Sequence, residues 1–167
     1  EAHRRIVESY RAQCAGDWPT LIHDDYARLH LATHLAGAEQ YAELFTLTAE
    51  SNAWAEARYR KEESYAGYLS DLERAWEWAE SEEHWSIGGQ IRCALIQSSI
   101  RSLAGNIRPE LLAQLVEAKI WSAARALAHI PQMPDERQRA AALNHLAPLM
   151  DNALKSEALV VARGIQN

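Results

Sequence analysis

Small and aliphatic residues recur at helical spacing throughout residues 89–148, and only short breaks containing Gly or Pro interrupt them. One side of an α-helix repeats every three to four residues, so this spacing predicts a succession of amphipathic helices. No sustained alternation of apolar and polar residues and no hairpin turn signal predicts a strand in the 167 residues. The sequence therefore predicts an all-α fold.

Two further patterns suggest how the helices are arranged. Between Gln90 and Leu103 the apolar residues occupy more than one side of the predicted helix, which is typical of an inner helix covered on two sides. Residues 126–133 (ALAHIPQM) and 158–165 (ALVVARGI) are similar at an offset of 32 residues, about one helical hairpin. We therefore expect antiparallel hairpins stacked into a right-handed superhelix or solenoid-like array, TPR-like or HEAT-like.

The charge distribution suggests a division of the chain. Residues 1–85 hold 17 acidic and 8 basic side chains, whereas residues 86–167 hold 6 and 9. The segment from His84 to Gly89 is the best candidate joint. We expect a helical linker or arm-like region over 1–85 and alanine-rich helical repeats over 86–167, continuous with it and truncated at the C-terminus. The absent initial methionine suggests a segment excised from a longer polypeptide, with processing of the N-terminus as the alternative.

Net charge bears on the class of partner. A formal charge of −6 disfavours nucleic-acid binding by general electrostatics. The acidic excess of the first half is interpreted as a solvated surface, with docking of a basic partner as the alternative. No apolar run approaches the roughly 20 residues that a bilayer span needs, and no signal peptide is recognisable. Buried thiols at Cys14 and Cys93 would suit a reducing cytoplasm.

The helix predicted from about Ser64 to Glu80 has the clearest amphipathic pattern. Its apolar residues follow the three-to-four spacing, and we assign its charged residues, Asp71 included, to the other sides. The apolar set is Tyr65, Tyr68, Leu69, Leu72, Trp76 and Ala79. A second local signal is the Asp135 and Gln138 pair, which resembles a capping box for a helix through Leu149.

Histidines provide the strongest candidate for metal chemistry. His30 and His34 are four residues apart on a predicted helix, and His23 lies seven residues before His30. This spacing can present imidazoles to a metal ion, but Leu31 stands where zinc proteases place a glutamate. Packing or surface roles are the favoured interpretation. A small helical metal-binding protein or enzyme that uses His23, His30 and His34 remains the alternative.

Other polar groups do not form a catalytic pattern. Ser98 and Ser99 lie inside an apolar helix, where we expect them to serve as small packing residues. The adjacent pairs Glu62-Glu63 and Glu82-Glu83 point apart on a helix, so they do not form a paired acid and base. Gly88-Gly89 lacks the Lys-Ser or Lys-Thr of a phosphate-binding loop. The sequence therefore predicts no catalytic residue, cofactor or metal ligand.

Tryptophan is abundant, with six residues in the chain. Most are expected to pack between helices, because a large aromatic ring stabilises a fold by burial. Trp76 and Trp78 cannot face the same way on one helix. We therefore assign a possible interaction surface to Trp78, Trp85 and Trp121.

Two long stretches resemble a known family of signalling proteins. The segment DDYARLHLATHLAGAEQYAELFTL, residues 24–47, resembles the helical segment after the nucleotide-binding and winged-helix parts of STAND-class ATPases, relatives of the apoptotic protease-activating factor. The matching positions are Tyr26, His34-Leu35 and Leu44-Leu47, and residues 53–76 continue the likeness. Residues 94–148 are similar to the alanine-rich helical repeats that follow such ATPase modules in bacteria.

The resemblance implies a regulatory role. In this family the ATPase module switches state, and the C-terminal helices sense a ligand or hold the switch off. The chain has no Walker A lysine motif, so no nucleotide activity carries over. We expect a non-enzymatic, cytoplasmic scaffold or sensor segment that contacts a protein partner, a ligand or neighbouring domains of the same polypeptide. A spacer or self-association module is a further alternative.

Overall fold

The computed structural model describes residues 1–81 and 86–164, and within those ranges it contains ten α-helices and no strand. The all-α class is therefore confirmed for this part of the chain. Short 3-10 helices cover Trp18–His23, Ile130–Gln132 and Ala147–Leu149, and a π-helical turn covers Thr46–Glu50. The α-helices are α1 (Ala2–Cys14), α2 (Asp25–Gly37), α3 (Tyr41–Phe45), α4 (Ala53–Glu62), α5 (Ala66–Glu80), α6 (Ile87–Gly105), α7 (Pro109–Glu117), α8 (Ala123–His129), α9 (Glu136–Leu146) and α10 (Asn152–Arg163).

Side-chain caps fix the starts of several helices. An N-cap side chain satisfies a backbone N–H that has no partner within its own helix. Asp24 accepts from the N–H of Ala27 at 2.9 Å at the start of α2. Asp135 accepts from the N–H of Gln138 at 2.8 Å, as predicted. The side-chain Oε1 of Gln138 makes no hydrogen bond, so the reciprocal half of the predicted capping box is not formed.

The chain forms two compact units, Glu1–Gln97 and Ser98–Asn167. The predicted division into 1–85 and 86–167 stays a prediction, and the residues beside its boundary, 82–85, lie outside the described ranges. Both cysteines are buried and free, as the sequence predicted. None of the helices in residues 1–81 and 86–164 is long and apolar enough to cross a bilayer.

The first unit is built around α2. This helix packs against α1 on one side and against α3 and α5 on others, and the 3-10 helix at Trp18–His23 joins α2 to α4. The side chains at its centre have almost no exposure, which removes them from water and stabilises the unit. They include Val7, Leu31, Leu35, Leu44, Trp54, Leu72 and Cys93.

The second unit has its own apolar core, formed chiefly where α7 packs against α9. Two alanines of α8 contribute to this core: Ala126 is completely buried, and Ala123 packs against it. Pro131 lies inside the 3-10 helix that follows α8 and ends the α-helix there, because proline removes a backbone donor. The buried core residues are Leu112, Ala126, Leu127, Ile130, Met133, Ala142, Leu146 and Met150.

Helix α6 differs from the prediction that it would be covered on two sides. Cys93 and Ile100 are buried on one side, but Ile91 is 54% exposed and Leu95 and Leu103 are each 63% exposed. A run of apolar residues in sequence shows that a helix forms, but it does not show how many neighbours the helix has. The outward apolar side of α6 is therefore a property of the tertiary structure.

Helix α5 also differs in one position. Tyr68 and Leu72 are buried as predicted, but Asp71 is 3% exposed and so lies on the inner side of the helix rather than with the solvated charges. Trp76 and Leu69 are only partly buried, and both pack against the core around Cys93. The physical reason for the burial of Asp71 is its set of charged partners, described below.

The cores yield a matched pair of substitutions on α7. Leu112 is fully buried, whereas its neighbour Leu111 is 44% exposed. Leu112→Ala removes buried surface and leaves a cavity, so it is expected to lower the free energy of unfolding by about 2–5 kcal/mol. Leu111→Ala is expected to change it by about 0.5 kcal/mol. Urea denaturation followed by circular dichroism measures both, and equal losses would contradict the assigned core.

Candidate functional site

An apolar stripe on α6 is the most prominent exposed feature of the first unit. Ile87 is 60% exposed, Ile91 54% and Leu95 63%. Residues four apart lie above one another on a helix, so the three side chains share one side. We call these three residues the α6 face. An exposed contiguous patch of this kind is typical of a contact site, whereas single exposed aliphatic residues are ordinary.

The opposite side of α6 explains why this face points outward. Cys93 is fully buried against Ala49 and Leu72. The close approach depends on Gly89, where a Cβ would lie 3.3 Å from the Ala79 Cβ. The Gln90 side-chain N–H₂ also donates to the Ala79 carbonyl at 3.0 Å. These contacts fix the rotation of α6 and leave the α6 face exposed.

The α6 face is apolar, and one arginine lies beside it. Arg92 is exposed beside Ile91, and the α6 sequence contains arginines but no acidic residue. Gly88 is exposed between Ile87 and Ile91, and nothing lies within 4 Å of the position that its Cβ would take. An apolar surface with space beside it admits a close-packed helix or loop of another protein segment.

The predicted tryptophan surface is placed only in part. Trp78 is half-buried, and its ring stacks on Tyr41 with ring centres 5.7 Å apart. Trp121 is half-buried in the second unit, where the Arg125 guanidinium lies 4.3 Å from its ring centre. Trp85 lies outside the described residues. Both placed rings therefore contact their own unit, and an interaction surface at these tryptophans stays a prediction.

The three candidate metal-binding histidines occupy two different places. His30 and His34 lie together on α2, with ring centres 6.4 Å apart. His23 lines a surface groove of about 450 Å³ between the 3-10 helix at Trp18–His23 and α4. Within residues 1–81 and 86–164, no group of three or more His, Cys, Asp or Glu side chains could hold a metal ion. His34 instead contacts His3 and Tyr26, two partners that the sequence did not indicate.

Ser98 and Ser99 are exposed on α6, so the prediction that they pack inside an apolar helix is wrong for both. The error has the same origin as the error for Leu95, because it follows from assuming cover on two sides. A serine nucleophile normally sits on a strained turn, whereas both serines lie within the regular helix α6.

A cluster of charged side chains is buried between α2, α4 and α5. Arg58 and Asp71 are each 3% exposed, and the Arg58 Nη1 donates to the Asp71 Oδ2 at 2.5 Å. The Trp54 indole N–H donates to the same oxygen at 2.9 Å. Glu62 Oε1 accepts from the Nη2 of Arg58 and the Nη1 of Arg28, each at 2.7 Å. We call these five residues the ion cluster.

The charged groups of the ion cluster are paired with one another and are not accessible to a substrate. Burial raises the pKa of Asp71, and the charge of Arg58 and the hydrogen bond from Trp54 oppose that rise. Perturbed carboxyls often mark active sites, but a reactive carboxyl must be reachable by a substrate. At 3% exposure Asp71 is not reachable. The cluster therefore joins three helices and is assigned no chemistry.

A second buried titratable group also has a structural role. The Tyr68 hydroxyl donates to the Thr48 carbonyl at 2.6 Å, which joins α5 to the π-helical turn. Burial raises the pKa of Tyr68 to about 12, with smaller contributions from Cys93 and Asp71. The phenol therefore stays protonated near neutral pH and continues to donate this bond.

Comparison of the chain with models of protein families, with curated proteins and with solved structures finds no match.

The structural role of the ion cluster can be tested with two arginines on α4. Arg58→Ala leaves two carboxylates with reduced compensation inside the unit, so we expect a loss of about 3–5 kcal/mol in the free energy of unfolding. Arg60 pairs with Glu56 on the surface, where its side chain is 75% exposed. Arg60→Ala is therefore the matched control, with an expected loss below about 1 kcal/mol. Chemical denaturation measures both, and similar losses would show that the cluster does not stabilise the unit.

Proposed function

We propose that this chain is a non-enzymatic helical scaffold segment that binds a protein partner, or a neighbouring domain of the same polypeptide, through the α6 face. The observation that supports the proposal most strongly is the exposure of Ile87, Ile91 and Leu95 on one side of a helix that is anchored by its other side. A partner that covers these side chains removes apolar surface from water, which favours association.

Contact rather than catalysis is the better account of the polar groups described above. Asp71 and Tyr68 have perturbed pKa values, yet both are buried and hydrogen-bonded within the packing of the first unit. An active site needs convergent polar groups at an accessible concave surface. The groove beside His23 is accessible, but Arg60 on its wall is paired with Glu56.

The size of the α6 face suggests the strength of the contact. Each of its three side chains has more than half of its surface still exposed. Burying such surface contributes roughly 1 kcal/mol or more per side chain. Association also costs translational and side-chain freedom, so three residues alone support a weak contact. A covalently linked neighbouring domain suits such a face, because linkage raises the effective concentration of the partner.

The resemblance to STAND-class ATPases gives the proposal its biological setting. A helical segment beside a switching module would hold that module inactive or sense a ligand through its contacts, and the protein would act in the cytoplasm. Stacking of hairpins into a right-handed superhelix, TPR-like or HEAT-like, is part of the same proposal. Consecutive helix pairs such as α1 with α2 and α4 with α5 support it. Nucleotide hydrolysis is not assigned to this chain.

The proposal predicts the effect of a charge placed in the α6 face. Ile91→Glu introduces a carboxylate that a partner would have to desolvate, so we expect binding to weaken at least about tenfold, which is roughly 1.4 kcal/mol. Leu29→Glu is the control, because Leu29 is 52% exposed but lies on α2. Both variants should unfold at the wild-type temperature, since neither position is buried.

The measurement is affinity capture from the source cell, followed by titration of the captured partner or domain with each variant. A partner that binds the wild type and Leu29→Glu equally but loses Ile91→Glu supports the proposal. Capture of the same partner with equal affinity by all three proteins contradicts it. Failure of the wild type to capture any partner, with monomeric sedimentation at all concentrations, contradicts it as well.

A further inference from the structure

Two histidines from different helices meet at the first turn of α1. The Nδ1 atoms of His3 and His34 are 2.7 Å apart, which is a hydrogen-bond distance. A neutral imidazole has one nitrogen that donates and one that accepts. The contact therefore requires a hydrogen on one Nδ1 and a lone pair on the other. If both Nδ1 atoms carried a hydrogen, both would be donors and the hydrogen bond between them would be lost.

The surroundings of the pair keep the two rings together. His34 is 8% exposed, and its Nε2 is 3.0 Å from the Tyr26 hydroxyl. Tyr26 can donate or accept, so it satisfies either tautomer of His34. Gly37 allows the approach of His3, because a Cβ there would lie 2.8 Å from the ring atoms Cγ and Cδ2. The pair is thus a fitted contact between α1 and the last turn of α2.

A single protonated ring can still donate to the neutral one, but protonation of both rings, which requires His34 to take up a proton, opposes this contact in two ways. Two imidazolium rings at this distance repel each other, and their facing nitrogens have no lone pair to share. Burial lowers the pKa of His34, and the charges of His3 and His30 lower it further.

We propose that the His3–His34 pair is a pH-sensitive clasp, which holds the first turns of α1 on α2 near neutral pH and releases them in mildly acidic solution. The release is confined to the beginning of α1, because later residues of this helix make other contacts with the first unit. Val7 is fully buried, and the Tyr10 hydroxyl donates to Asp24 at 3.2 Å. The remainder of the first unit stays folded when the clasp opens.

The charged and titratable groups around α2 are consistent with this assignment. His3 faces His34 from α1, and Tyr26 and His30 face it from α2 itself. On α3 and α5, Tyr41, Arg74 and Glu77 line a hollow with Thr33 and Ala36, so they approach α2 at those residues. Three further charged or titratable groups near α2 have partners away from His34: Arg28 pairs with Glu62, Tyr10 with Asp24, and Glu43 with Arg11.

The direction of the pH effect follows from proton binding. The pKa of His34 in the folded state lies below its ordinary value of 6.5, so the unfolded or released state binds more protons between the two values. The clasp therefore contributes its full stability above about pH 6.5 and loses it as the pH falls below that value. Measurements made above about pH 5 avoid most of the pH range in which ordinary Asp and Glu carboxyls titrate.

The experiment compares amide hydrogen exchange of α1 peptides at pH 7.5 and pH 5.2, with protection corrected for the intrinsic exchange rate at each pH. In the wild type, the protection of α1 should fall severalfold relative to that of α5, because the released state binds more protons at pH 5.2 than the closed state does. His3→Leu keeps an apolar side chain beside Gly37 but removes the hydrogen bond and the charge of His3, so it should weaken this pH dependence. His23→Leu is the matched control, because His23 is exposed on the 3-10 helix, and it should retain it.

Proton NMR titration of the wild-type histidine rings supplies a second readout that needs no variant. The His34 resonance should titrate below its ordinary range, and in His3→Leu it should shift upward. The clasp is wrong if α1 protection is the same at both pH values, or if His3→Leu loses protection in acid as the wild type does. It is also wrong if His34 titrates in the wild type like an exposed histidine.

Discussion

The ion pair between Arg58 and Asp71 is the interaction on which the first unit depends. Two opposite charges removed from water are stable only when their geometry is close and their remaining hydrogen-bonding groups are satisfied. Here the indole of Trp54 and the carboxylate of Glu62 complete the set, and Arg28 extends it to α2. The cluster fixes α2, α4 and α5 relative to one another, because moving any of them away would leave a buried charge without its partner. The apolar core around Leu72 packs in the same unit.

The helical class and several helix starts could be predicted from local sequence, because spacing and capping are local properties. Asp135 and Pro109 show this, since each lies at the helix start that its chemistry indicates. Asp71 shows the limit. The spacing of apolar residues on α5 assigns this charged side chain to solvent, and its partner Arg58, 13 residues earlier, is not indicated by any local pattern. Only the tertiary structure brings the two charges together.

The candidate site was predictable to a smaller degree. Ile91 and Leu95 were recognised as apolar helical residues, but whether a neighbour covers them depends on contacts that one sequence does not contain. The spacing of His30 and His34 correctly placed both imidazoles on α2, while the decisive partner, His3, lies 31 residues before His34 on another helix. Trp78 is assigned to an interaction surface, which stays a prediction, while the stacking of its ring on Tyr41 is not indicated by the sequence. In each case a residue type was identified and its environment was not.

Gly67 shows how an electrostatic requirement can determine a residue that takes no part in it. This glycine lies in the first turn of α5, and its backbone has no positive φ angle. Glycine is ordinarily unfavourable within a helix, yet a Cβ at this position would collide with the Arg58 guanidinium and the Glu62 carboxylate. Glycine at position 67 therefore lowers the helical propensity of α5 but leaves room for the Arg58 guanidinium to pack directly against the backbone. A survey of chains with this fold should find that a side chain at 67 accompanies the loss of the arginine at 58.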